Sequence, residues 1–224
     1  MVTMIYDLAK GPFLWLAFAV LVLGSIYRAI DFLRSTTKKE RIPWPKRGVR
    51  TDSPEERKTA LVLLLQRTML GKYPVMTVVS GVFHACLIVT PLFALGHSLV
   101  LGQSWGIYFF SLPNSIVDGL TAVALFGGFF MLMRRIFIPR VRAVSRLGDF
   151  IFLFITVAPY LTGFMAYHQL FDYKTVITLH LLTGELLLIA IPFTKLVHMI
   201  FLFFARELLD SEHNMASGGR VWTP

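Results

Sequence analysis

The sequence predicts an all-α, polytopic membrane protein: a five-transmembrane-helix bundle with its N-terminus outside and its C-terminus cytoplasmic. Three observations predict it. Hydrophobic residues make up 55% of the 224, and the mean hydropathy is +0.65. Five apolar runs are each near or above the ~17–25 residues that a spanning helix needs. Lys and Arg gather in two loops on one side of those runs, the asymmetry that sets membrane orientation. Helices are the expected form, because lipid cannot satisfy free backbone groups and the alternation of a barrel strand is missing. A net charge of +9 would suggest nucleic acid for a soluble chain. Here its placement assigns it to topology, and no nucleic-acid partner is expected.

The first run covers about 11–30. No basic n-region or small-residue cleavage site precedes it, so it is expected to stay as a membrane helix. The segment 34–73 then carries eleven cations: Arg34, Lys38, Lys39, Arg41, Lys46, Arg47, Arg50, Arg57, Lys58, Arg67 and Lys72. Within it Ile42-Pro43-Trp44-Pro45 must be extended, since each proline fixes its own φ and biases its predecessor away from helix. Ser53-Pro54-Glu55-Glu56 reads as a helix start, with Ser as N-cap, Pro at N1 and Glu at N3. A short interfacial helix over about 54–70 follows. It either lies on the membrane surface and shields the bundle or docks a cytoplasmic subunit.

The remaining runs cover about 75–101, 116–133, 150–167 and 176–204, all in one membrane domain spanning 1–224. Between the third and fourth lie Arg134, Arg135, Arg140, Arg142 and Arg146, whereas the opposite side has only Lys10 and Lys174. Both basic loops are therefore expected in the cytoplasm. Twenty Phe and nine Met suit a lipid-facing or cofactor-lined helical bundle. The single cysteine, Cys86, excludes a disulfide framework, a cysteine-ligated iron–sulfur cluster and a CxxCH haem attachment. It reads as a small packing residue.

Ionisable groups at membrane depth are costly and normally face a protein interior with a task. The fifth run holds His180, Glu185, Lys195 and His198. The two histidines lie 18 residues apart, five whole turns, so an unbroken helix points both rings the same way. Their axial separation is roughly 27 Å, close to the ~30 Å hydrocarbon thickness. The second run, of opposite direction, holds His84 and His97. Depth pairs His84 with His198 towards the cytoplasm and His97 with His180 towards the outside. Bis-histidine ligation fills both axial positions of a haem iron and leaves it for electron transfer. Two such haems make a path across the membrane. The plainer reading gives each histidine a hydrogen bond to a neighbouring helix, but it must bury four imidazoles with no cofactor.

The outer pair carries a geometric demand. Thirteen residues of ideal helix leave His84 and His97 about 140° apart in bearing. Pro91 lies between them, and a kink or local rewinding there is needed to turn His97 towards the fifth run. Glu185, mid-helix, is expected to be protonated or hydrogen-bonded. Asp118 either caps the third helix or accepts a proton at a nearby redox site. His168 and His213 read as ordinary solvated residues. The arginines of 134–146 fix topology, and they or Lys195 could also pair with haem propionates.

Two stretches carry a family resemblance. One is Arg134-Arg135-Ile136-Phe137-Ile138-Pro139-Arg140-Val141-Arg142-Ala143. The other is Leu179-His180-Leu181 with Gly184, then Pro192-Phe193, Leu196 and His198. Over about 75–205 the chain resembles the gamma subunit of respiratory nitrate reductase and its relatives, the cytochrome b membrane subunits of sulfate-reducer redox complexes and of heterodisulfide reductase. The resemblance implies two haems b, an inner one on His84 and His198 and an outer one on His97 and His180. It implies a quinone site near the outer haem, beside Gly96 and His97. It further implies an iron–sulfur electron-transfer partner on the cytoplasmic side, further subunits of a respiratory complex, and the cytoplasmic (inner) membrane of a prokaryote. The second-run histidines are about one turn further apart than in nitrate reductase gamma subunits, nearer the heterodisulfide reductase spacing. Menaquinone or ubiquinone would be the substrate. Two rival classes remain: a haem-free structural anchor of a complex, and a transporter using intramembrane His, Glu and Lys as a proton path. The second predicts internal repeats and broken helices, and the sequence shows neither.

Overall fold

A computed structural model describes residues 2–37, 71 and 73–200. The interfacial helix expected over about 54–70, most of the first basic loop, the end of the fifth run and His213 lie outside the described residues. All regular structure among the described residues is helical. Five stretches are long and apolar enough to cross a membrane: Thr3–Arg34, Pro74–Phe93, Asn114–Phe137, Leu147–Tyr167 and Tyr173–Phe193. The chain is an all-helical, multi-pass membrane protein. Large apolar side chains such as Phe126 and Phe154 point outward from these helices, as lipid-facing positions do.

The first span starts earlier than the apolar run suggests. Helix α1 (Val2–Leu8) passes through a π-helical turn at Ala9–Phe13, containing Pro12, into α2 (Leu14–Thr37). The second run is two helices, α3 (Pro74–Phe93) and α4 (Leu95–Trp105), separated by the extended residue Ala94 at φ −71°, ψ 128°. Next come α5 (Asn114–Phe137), the short α6 (Pro139–Val144) and α7 (Leu147–Tyr167). Helix α8 (Tyr173–Phe193) ends at Thr194, which is extended at φ −123°, ψ −173°, before a 3₁₀ turn over Lys195–Val197. The single helix expected over 176–204 is therefore interrupted. Pro192 cannot donate in the ladder, and the Thr194 side chain instead accepts from Leu196 N at 3.2 Å.

The chain divides into two compact units, Met1–Leu14 with Gln66–Leu187 and Trp15–Leu65 with Leu188–Pro224. In the first, α5 packs between α3 and α7. Small residues set the approach: a Cβ on Gly127 would stand 2.9 Å from Phe83, and one on Gly128 would stand 2.6 Å from Val157. Cys86, Ala124 and Tyr160 form the buried centre, with Leu87, Leu120 and Leu125 against it, so Cys86 packs as expected. Close contact between small residues is the usual basis of helix association in lipid, where no hydrophobic effect separates helix from tail.

A proline explains the strongest tie in this unit. Pro91 has no N–H for the carbonyl four residues before it, that of Leu87. The Tyr160 hydroxyl donates to this orphaned carbonyl from α7. In the second unit Gly24 lies against Pro192, 2.8 Å from where its Cβ would be, and Arg28 Nε donates to Pro192 O at 3.0 Å. Of the cationic run, Arg135 holds the turn between α5 and α7, with Nη1 3.2 Å from Ser145 Oγ and 3.9 Å from Asp149. Asp149 also accepts from Arg146 N at 2.9 Å, closing the first turn of α7.

Candidate functional site

The break at Ala94 positions His97. Without a regular helix beyond Phe93, the carbonyls of Pro91 and Phe93 need new donors. Phe93 O accepts from Leu112 N at 2.9 Å, which folds the following loop back onto the break. Pro91 O accepts from His97 Nδ1 at 2.8 Å. Ser98, buried, donates to Phe109 O at 3.1 Å and accepts from Phe109 N at 3.2 Å, fixing the loop beside His97. The rewinding demanded by the 140° mismatch is thus present, three residues after Pro91.

His180 reaches the same place from α8. Its ring lies parallel to that of His97, at an interplanar angle of 4° and a centroid separation of 5.8 Å. His180 Nδ1 donates to Pro159 O of α7 at 2.9 Å. Thr162 Oγ1 stands 3.5 Å from the same nitrogen and 3.2 Å from Thr183 Oγ1. Gly163 makes room for the ring: a Cβ there would lie 3.0 Å from His180 Cε1. Sequence reasoning missed Gly163 and Pro159, because their role is set by α7 facing α8 and no local pattern marks it.

All four histidines of the apolar runs share one ring state. A carbonyl oxygen can only accept, so a ring nitrogen bonded to one must carry the hydrogen. His84 Nδ1 donates to Ser80 O at 2.6 Å and His198 Nδ1 to Lys195 O at 2.7 Å. With His97 and His180, this makes four Nδ1–H donors, and a neutral ring held this way carries its lone pair on Nε2. Metal-bound imidazoles are held this way, with the second nitrogen donating to a carbonyl or carboxylate. His168 differs: its Nε2, not Nδ1, is the bonded nitrogen.

The donor set fits an iron that a macrocycle already holds. Among the described residues no group of three His, Cys, Asp or Glu could hold a bare metal ion. A haem iron asks the protein for only two axial ligands. His97 and His180, whose parallel rings approach each other from α4 and α8, are the residues that would hold such an iron. His84 belongs to the first compact unit and His198 to the second. The five-turn register that gave His180 and His198 a common bearing is interrupted at Thr194.

Other expectations change. Asp118 does not cap α5, which begins at Asn114. Its carboxylate accepts from His168 Nε2 at 2.9 Å, so His168 is a partnered residue at the end of α7 and not simply a solvated one. Tyr160 is buried and committed to Leu87. Gly96 is exposed, and nothing lies within 4 Å of where a Cβ would stand on it. Glu185 is 5% exposed, and its Oε1 has no hydrogen-bond partner among the described residues.

The fold and its facing histidines define a multi-pass, all-helical membrane protein with a candidate site inside its helices. The chain is 30% identical over 221 residues to a protein of Nitratidesulfovibrio vulgaris (strain Hildenborough), with 98% of each chain covered. It belongs to the same family as that protein. No family model matches the chain.

Proposed function

We propose that the chain is a di-haem cytochrome b, the membrane subunit of a respiratory oxidoreductase complex, and that it passes electrons between the quinone pool and an iron–sulfur partner. The observation that carries this reading is the common ring state of His84, His97, His180 and His198, together with the parallel approach of His97 and His180. Haem, when bound, supplies a one-electron couple within the membrane. The chain's own residues do the rest. Pro91 and Pro159 offer carbonyls that fix the imidazole tautomers, Gly163 leaves space for the His180 ring, and the α3–α4 break aims His97. His84 and His198 are proposed for the second haem on their matched depth in the sequence and the same Nδ1–H state.

Quinone is proposed to react near His97, beside Gly96 and the loop that Ser98 holds. The resemblance to nitrate reductase gamma subunits and their relatives supports this placement, as does the basic cytoplasmic side expected from the loops at 34–73 and 134–146, where an acidic or iron–sulfur partner would dock. The test is a reduced-minus-oxidised optical spectrum of the purified chain with haem quantification. Low-spin b-type bands with about two haems per chain, the ligation chemistry expected of bis-imidazole sites, support the reading. A haem-free spectrum leaves the structural anchor.

A further inference from the structure

The turn that joins α5 to α7 is held at a membrane boundary by helix length. Helix α5 has 24 residues, roughly 36 Å of axis against a hydrocarbon core of ~30 Å, so its last turn leaves the core. Helix α6 is tied at both ends to a span and cannot leave that boundary. What the turn exposes is mixed. Phe137 is 72% exposed, Val144 77% and Leu147 76%. Between Phe137 and Leu147 stand Arg140, Arg142 and Arg146, all exposed. Arg135 differs, because it turns inward to Ser145 Oγ and Asp149. Asp149 is the one acid between positions 134 and 149. Among the described residues the ion pairs are Arg135–Asp149 and His168–Asp118, so Arg140, Arg142 and Arg146 belong to neither.

We propose that this turn binds anionic phospholipid, with Arg140, Arg142 and Arg146 on the lipid phosphates and Phe137, Val144 and Leu147 among the acyl chains beside them. The inference does not depend on haem. Guanidinium pairs with phosphate bidentately. The headgroup layer accommodates a cation and an apolar side chain only a few residues apart. Water would leave three apolar side chains uncovered, and hydrocarbon would strand three charges. An acidic protein face answers the arginines but not the apolar residues that flank them. Fixing orientation, the ordinary task of such a run, requires the charges but not an exposed Phe137 or Val144. Each cation beside an anionic membrane surface strengthens binding about fivefold, and salt screens the effect. The turn is thus the lipid-facing rim of the basic side, and the protein partner proposed above meets the rest of it.

The test uses the full chain reconstituted in phosphatidylcholine bilayers. Trace spin-labelled phosphatidylglycerol or phosphatidylcholine reports the lipid held at the protein surface. The wild type should prefer phosphatidylglycerol about fivefold or more, the scale of one such contact, and added salt should shrink the preference. Arg140→Gln/Arg142→Gln should lower it about twofold or more, whereas Arg140→Lys/Arg142→Lys, which keeps the charge, should retain most of it. The eleven cations of 34–73 remain in both variants to hold orientation. In native membranes, a photo-reactive phenylalanine analogue placed at position 144 of the otherwise wild-type chain should give lipid adducts, a readout that stands even if the glutamine variant fails to insert. No preference in the wild type, an undiminished preference in the glutamine variant, or adducts at position 144 to protein alone would overturn the inference. The last of these would assign the turn to a docked subunit.

Discussion

His97 and His180, proposed for the outer haem, share a ring state with His84 and His198, proposed for the inner one, but reach it differently. His84 and His198 each donate to a carbonyl within one turn of their own segment, Ser80 and Lys195. His97 donates across a helix break to Pro91, and His180 donates to Pro159 on another helix. The outer rings therefore depend on tertiary structure: a break in one span and a carbonyl from α7. The Nδ1 contacts of His84 and His198 are local to their own segments. Substitutions far from the rings should consequently disturb the outer pair and leave the inner histidines' tautomers intact.

Pro91→Ala should break this contrast most. It restores a backbone donor at position 91, which can take the Leu87 carbonyl from Tyr160 and favour one continuous helix through Ala94. An ideal helix turns His97 about 140° from the bearing of His84. Haem content should fall towards one per chain, with the remaining haem unchanged in spectrum. Haem content of two per chain in this variant would show that the Ala94 break stands without Pro91.

Tyr160→Phe comes next. It leaves the part-buried Leu87 carbonyl without a donor, a loss of about 1–3 kcal/mol, read as a lower thermal midpoint in detergent. Gly163→Ala is smaller. The added methyl meets His180 Cε1 at 3.0 Å, so the ring must give by a few tenths of an ångström. The outer haem should be retained with a shifted spectrum and potential, and the inner haem should not move.

The five-span architecture was legible in the sequence, because length and hydropathy report directly on a helix in lipid. Four histidines at membrane depth were legible for the same reason. Their bearings were only half legible. The 18-residue spacing from His180 to His198 assumed a continuous helix, whereas Pro192 and Thr194 interrupt it. The 13-residue spacing from His84 to His97 appeared unfavourable, and Pro91 with Ala94 corrects it. Proline in a span announces that the register can change but gives neither the position nor the size of the change. The roles of Gly163, Pro159 and Tyr160, and the pairing of Asp118 with His168, come from helices meeting across the unit, where local sequence is silent.

The smallest effect lies at the start of α8, away from both pairs. Asp172 accepts from the Thr175 hydroxyl at 2.6 Å and from Thr175 N at 2.9 Å. The hydroxyl contact, then the amide, hold its carboxyl below the ordinary carboxylate value. A depressed folded value means stability that is present above the unfolded pKa of ~3.9 and lost as pH falls through the lower folded one. Thermal unfolding in acid should show a small decline over that window. Asp172→Asn, which keeps a capping oxygen, should abolish this decline and leave haem content unchanged at neutral pH.

Haem stoichiometry across the wild type, His97→Ala and the double variant His84→Ala/His97→Ala tests the central claim most directly. The account predicts two, one and no haems per chain, with all three proteins inserted in the membrane. Haem content that is unchanged by these substitutions, or no haem in the wild type, would contradict it.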